Sequence, residues 1–305
     1  MGDTLSVLGM RDSYFEALFK VFQADRDCVI ITADNGAPSL DQFRGLPGQF
    51  YTVGIAEQAM ATIATGLARE GKKVWIYAIA PFVTTRIHEF VKLDFCAMRL
   101  PVTILGVGAG LAYDNMGPSH HTLEDISIMR AIPGLEIYSP ADSACAAALA
   151  ELPADRPRYI RLDRAGLVSV WSGMDDLPRA GYDFVRIDTG PVIITTGVMV
   201  QQALKVAARL GALSVVDVYR LAPFAVQAVF DDIDGEPFIT LEEHFLPGGL
   251  GSIVSESLHD AGMTNRLLRI GLPHDFVFAY GGREAIWKKN GLDVESIAKK
   301  ITEWL

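Results

Sequence analysis

Short runs of β-branched and apolar residues alternate along this chain with longer stretches in which apolar positions recur every three or four residues. The runs DCVIITAD (27–34), KKVWIYAIA (72–80), RLPVTILGVGAG (99–110), LEIYSPAD (135–142) and PRYIRLD (157–163) predict strands. Helical spacing falls between them, at 11–24, 56–70, 82–97, 122–131 and 141–151. Strand, helix and strand in that order is the pattern of parallel βαβ units. A polar stretch, RAGLVSVWSGMDDLPRAGYDFVRIDTG, then breaks the alternation with Gly166, Gly173, Pro178 and Gly181, and reads as an irregular connection. The alternation resumes with PVIITTG, a helix through Gln201 to Leu210, LSVVDVYRLAP, PFITLEEHF, a helix after Gly251, and LLRIGLP. The closing GLDVESIAKKITEWL carries Ile297, Ile301 and Leu305 at helical spacing. The expected fold class is α/β: two tandem doubly wound α/β/α domains with mostly parallel sheets, at 1–168 and 189–305, joined by a linker at 169–188.

The bulk numbers narrow the function. The 305 residues suffice for two domains with separate cores, and 50% hydrophobic with 21% charged residues is a globular composition. The formal net charge is -10 and the basic residues are scattered, which disfavours nucleic-acid and anionic-membrane partners. No apolar run approaches the length needed to span a bilayer, and the amino terminus lacks a basic start followed by a long apolar core, so a soluble, cytoplasmic protein is expected. Cys28, Cys96 and Cys145 lie far apart without ligand spacing and read as reduced core residues. No metal site is expected on this chain.

Five segments could carry chemistry. In TVGIAEQAMATIATGLA (52–68), Glu57 stands at the mouth of a helix buried on most of its circumference. A buried carboxylate needs a partner, which the helix dipole or a ligand can provide. GVGAG (106–110) resembles a dinucleotide loop, but its third glycine falls one place early and Leu111 stands where the motif wants glycine. GGLGS (248–252) can present backbone amides to an anion or form a tight turn packing a helix on the sheet. In MGPSHHTLEDI (116–126) a Gly-Pro turn follows a strand end, where open α/β sheets place ligands, and Thr122 can cap a helix with Asp125 three residues later. PFVTTRIHEF (81–90) offers Phe82, Arg86 and Glu89, readable as core and solvated helix face.

Five motifs in order, VGIAEQ, the aromatic-bearing PFVTTR loop, GPSHHTLEDISIMRAIPGLEIYSPAD, RYIRLDRAG and TLEEHFLPGGLGS, closely resemble the C-terminal half of transketolase and of deoxyxylulose-phosphate synthase. The resemblance covers nearly the whole chain. It implies a pyrimidine-binding domain, the family's smaller C-terminal domain, and thiamine diphosphate as cofactor. Glu57 then matches the glutamate that hydrogen-bonds the pyrimidine ring nitrogen of the cofactor, a task suited to a carboxyl held in apolar surroundings. Phe82 matches the ring that stacks on the pyrimidine, Asp34 in ITADNG an aspartate near the cofactor across the subunit interface, and Ile55 and Arg86 complete the cofactor set. His120 matches the histidine that meets substrate oxygens and can stabilise charge on them. His121 is the second histidine of synthase-like and split members. Arg164 falls where the family places a phosphate-binding arginine, with Arg161 as the other candidate.

Two departures from the family pattern bear on function. Met116 stands where transketolases of ordinary ketose phosphates usually carry an aspartate that reads a donor hydroxyl, and Asp114 is the acid two places upstream. The GDG segment through which the family binds diphosphate and Mg²⁺ does not occur in the sequence. The resemblance therefore implies one half of a split transketolase, active with a partner subunit that holds the diphosphate and the metal, as an α2β2 heterotetramer acting on sugars or sugar phosphates. Alternatives are the β subunit of a 2-oxo acid dehydrogenase, a deoxyxylulose-phosphate-synthase-like enzyme, and a non-catalytic interaction subunit.

Overall fold

The computed structural model describes residues 8–164, 166–172, 181–224, 230 and 236–305. The first sheet has seven strands: β1 (Cys28–Thr32), β2 (Phe50–Thr52), β3 (Lys73–Ile79), β4 (Val102–Val107), β5 (Glu136–Tyr138), β6 (Arg158–Leu162) and β10 (Arg220–Ala222). Their order is β10-β5-β6-β4-β3-β1-β2. All pair in parallel except β10, which runs antiparallel to β5. The central strands β1, β4 and β6 are buried on both faces, as parallel sheets covered by helices require. Alternate residues feed two apolar layers: Val29, Ile31, Val74 and Ile76 on one side, Cys28, Ile30, Trp75 and Tyr77 on the other. The second layer is aromatic, with Phe15, Phe22 and Phe43 packed around Tyr77 and Trp75 beneath the helix Met10–Ala24.

The second sheet has five strands: β7 (Tyr182–Arg186), β8 (Val192–Thr195), β9 (Ser214–Val218), β11 (Phe238–Phe245) and β12 (Leu267–Leu272). Their order is β12-β11-β8-β9-β7, and only β7, at the edge, is antiparallel. The helices Met199–Leu210, Leu250–Asp260, Arg283–Asn290 and Val294–Trp304 complete this half. All three cysteines are free and buried.

Four local expectations change. LSVVDVYRLAP is two strands in two sheets, because the chain leaves the second sheet after Val218 and Arg220–Ala222 extends the first. The stretch read as irregular contributes the strand β7; its residues 165 and 173–180 lie outside the described residues. The helix expected over 82–97 breaks into Ala80–Val83, His88–Phe90 and a π-helical Val91–Cys96. The break follows the β-branched pair Thr84-Thr85, and Thr84 turns its hydroxyl back onto the Ala80 carbonyl at 2.7 Å. Thr122 caps no helix. Its backbone bridges Gly110 and its hydroxyl donates to the Gly108 carbonyl at 3.0 Å, so it closes a loop, and the helix starts at Asp125.

Candidate active site

The carboxyl ends of the first sheet's strands gather the candidate residues, where open α/β sheets bind ligands. Asp34 follows β1, Ile55 and Glu57 follow β2, Phe82 and Arg86 follow β3, the loop bearing Met116, His120 and His121 follows β4, and Arg164 follows β6. Glu57 is the first residue of the helix Glu57–Arg69, whose N-cap Ala56 offers no side-chain acceptor. The carboxylate thus sits at the positive end of the helix dipole. It is only 4% exposed, and its partner is Arg86, whose Nη1 donates to Oε2 at 2.7 Å. The ligand or dipole expected beside Glu57 is here joined by a guanidinium.

From Glu57 an unbroken row of contacts runs along the rim. The Arg86 guanidinium lies 4.2 Å from the centroid of the Phe82 ring, a cation–π contact. Phe82 meets the His120 ring edge to face at 5.5 Å. His120 meets Tyr113 at 5.8 Å, and the Arg164 guanidinium lies 4.6 Å from the Tyr113 centroid. The row therefore reads carboxylate, cation, aromatic face, imidazole, phenol, cation. Ser119 Oγ and His120 Nδ1 are 2.9 Å apart, which orients the imidazole. Burial holds the His120 pKa below the ordinary imidazole value. His121 is buried, and burial lowers its pKa further than the backbone of Asp114 and the charges of Glu243 and Asp114 restore it.

The remaining candidates fall off the row. Asp34 is exposed, Ile55 is 78% exposed and Met116 58% exposed. Asp114 accepts the backbone amide of Arg283 at 2.9 Å. Arg161 is buried: Nε donates to Asp125 Oδ2 at 2.8 Å, and Nη2 donates to the Thr122 carbonyl at 3.0 Å. Arg164, by contrast, is exposed. Tyr113 escapes a reading of the sequence. It follows the glycines of GVGAG, and a Cβ on Gly108 would stand 2.2 Å from its ring while one on Gly110 would meet Glu243, so those glycines make room for the chain's own side chains and not for a dinucleotide. GGLGS likewise has its anion within the chain: Glu242 accepts the amides of Leu250 at 2.7 Å and Gly251 at 2.8 Å.

The Glu57–Arg86–Phe82 group fits a flat, nitrogen-rich ring. The guanidinium is itself planar, donates N–H to Glu57 and stacks on Phe82, and its side chain is 41% exposed, so it can give way. An aminopyrimidine would make the same two contacts.

Comparison with known proteins bears on this arrangement. Residues 6–168 match the transketolase pyrimidine binding domain, and residues 185–297 match the transketolase C-terminal domain. The chain is 34% identical over 310 residues to a subunit of the apulose-4-phosphate transketolase of Phocaeicola vulgatus, covering 98% of both chains. It is 32% identical over 303 residues to a 6-deoxy-6-sulfo-D-fructose transketolase subunit of a Clostridium species, covering 96% of this chain and 94% of that one. A solved split-gene transketolase, an inactive beta4 tetramer, superposes with a TM-score of 0.86 at 29% identity, covering 97% of this chain and 98% of the other.

Proposed function

This chain belongs to the transketolase family, and from that membership we propose that it is the subunit of a split transketolase carrying the pyrimidine-binding and C-terminal domains. The assembled enzyme transfers a two-carbon ketol unit from a ketose donor to an aldose acceptor. The observation that carries this reading is the continuous row from Glu57 to Arg164, which puts a cofactor-type end and a substrate-type end on one rim.

Thiamine diphosphate supplies the nucleophilic carbon and electron sink when bound. Glu57 would hold the pyrimidine ring nitrogen by a hydrogen bond, and Phe82 would give that ring a face to stack on. Arg86 borders the same end, and Ile55 and Asp34, which stand off the row, join the cofactor set by family membership. His120, largely neutral at pH 7 because burial lowers its pKa, can donate to a substrate oxygen and accept a proton in turn. His121 and Asp114 support that position, and exposed Arg164 suits a sugar phosphate better than the buried, paired Arg161. The diphosphate and its Mg²⁺ belong on a partner subunit. Tyr51 and Ile55, exposed apolar side chains on either side of the β2 end, are ones such a partner would cover. We place the pair in an α2β2 heterotetramer working in the cytoplasm, with domains at 1–168 and 189–305 joined through 169–188, a stretch that itself supplies β7 to the second sheet.

The relatives suggest substrates beyond the common ketose phosphates, since one is named for apulose 4-phosphate and another for a sulfo-sugar. The test is reconstitution with a GDG-bearing partner chain. The wild-type complex is expected to bind thiamine diphosphate and transfer a ketol unit, and Glu57→Gln to lose activity by about a hundredfold or more while still assembling. A cofactor-loaded complex in which Glu57→Gln keeps full activity would refute the assignment.

A further inference from the structure

The loop from Gly108 to Leu123, which carries Tyr113, His120 and His121, is fastened to the second domain by buried charges. Glu243, in β11, accepts the Leu111 amide through Oε2 at 3.0 Å. It stands so close that a Cβ on Gly110 would lie 1.9 Å from that oxygen, and Gly110 has φ of +58°. Arg283, first residue of its helix, grips both sides. Its guanidinium donates to Glu243 through Nε at 2.8 Å and again through Nη2, while Nη1 donates to Asp163 Oδ2 at 2.6 Å at the end of β6. Its backbone amide donates to Asp114 Oδ2 at 2.9 Å. Trp287, one helical turn later, donates its indole N–H to Glu243 Oε1. At the loop's far end the Phe245 amide donates to the Leu123 carbonyl at 2.8 Å.

A forked cation between two carboxylates, one from each domain, fixes distance and direction together. We propose that Glu243 and Arg283 are positioning residues: the clamp they form sets the register of the Gly108–Leu123 loop, and so where His120 and His121 stand for the substrate. The C-terminal domain then acts on the reaction through the loop, without touching the reacting atoms. The proposal rests on the reading of His120 as a substrate-contacting residue.

Amide hydrogen exchange of the isolated full chain, wild type against Glu243→Gln, tests the clamp without partner or cofactor. Exchange over residues 110–122 is expected to quicken about tenfold or more while the helix Glu57–Arg69 is unchanged. In the reconstituted enzyme the same variant is expected to lose about tenfold in kcat and raise KM for the ketose, with thiamine diphosphate affinity unaltered. Arg283→Lys, which returns a cation without the fork, falls between. Trp287→Phe, which removes the indole donor to Glu243 Oε1, reports the same loosening should Glu243→Gln fail to fold. Exchange that is unchanged in the loop, or that rises equally everywhere, overturns the proposal. So does a loosened loop with unchanged kinetics. A wild-type complex that transfers no ketol unit refutes the functional reading instead, and the exchange comparison still decides the clamp.

Discussion

At Met116 a thioether stands 58% exposed on the loop that bears His120. It cannot accept a hydrogen bond from a donor hydroxyl with the strength of a carboxylate. Met116→Asp is expected to shift donor preference toward hydroxyl-bearing ketoses by about tenfold in relative kcat/KM, the scale of one hydrogen bond to a charged group. Equal ratios before and after would place Met116 away from the donor. Single residues differ in how clearly the sequence announces them. Glu57 is conspicuous because a carboxylate among alanines and methionines demands a reason. Tyr113 is not, since an aromatic residue in a loop looks the same whether it packs inward or faces a ligand. Glu243 and Arg283 lie between these cases: EEH inside a strand of otherwise apolar residues signals buried charge, but the partner is forty residues away and only the fold brings it near.

Elements were legible where one periodicity held for a whole segment, and illegible where the chain changed role midway. β3, β4 and β6 fall within the runs that predicted them because each is buried along nearly its whole length. LSVVDVYRLAP is nearly as continuously buried, yet no pattern within it says that Val218 and Arg220 belong to different sheets. β9 also contains Asp217, fully buried, with Oδ2 accepting the Trp171 indole N–H at 2.8 Å. Burial pushes its carboxyl from the ordinary 3.8 up to about 8. A carboxyl raised in the folded state costs nothing below the unfolded value, and stability is lost as pH rises from there toward the folded one. Asp217→Asn keeps an acceptor for the indole and removes the charge. Unfolding free energies of the two proteins from urea titration are expected to converge near pH 4 and to separate with rising pH, the variant gaining about 1.4 kcal/mol per pH unit up to about pH 8. Parallel curves would mean that Asp217 is not held neutral.

In the whole molecule the two halves share one apolar cluster, in which Val29, Ile76 and Ile104 of the first sheet are continuous with Val192, Val216 and Phe238 of the second. Charges bury at the same junction. His244, fully buried, has Nε2 3.8 Å from Asp125 Oδ1, and burial lowers its pKa to about 4. A histidine lowered in the folded state costs nothing above the unfolded value, near 6.5, and stability is lost as pH falls from there toward 4. Unfolding at pH 5 is therefore expected to take up about one more proton in the wild type than in His244→Gln, readable by calorimetry in buffers of differing ionisation enthalpy. Equal uptake would place the imidazole in a more solvated setting. Two domains were foreseeable from the repeated alternation; their interdependence was not, because it rests on pairings across more than eighty residues. β10 makes that interdependence concrete. Synthesis from the amino terminus delivers six strands of the first sheet by residue 162, but the seventh arrives only at 220–222. A chimera exchanging C-terminal halves between relatives at the 169–188 segment would hand one sheet an edge strand bred for another. A seam after Ala222 would instead split the second sheet, leaving β7, β8 and β9 on one side and β11 and β12 on the other, so neither the hinge-like stretch nor the end of β10 keeps both sheets whole.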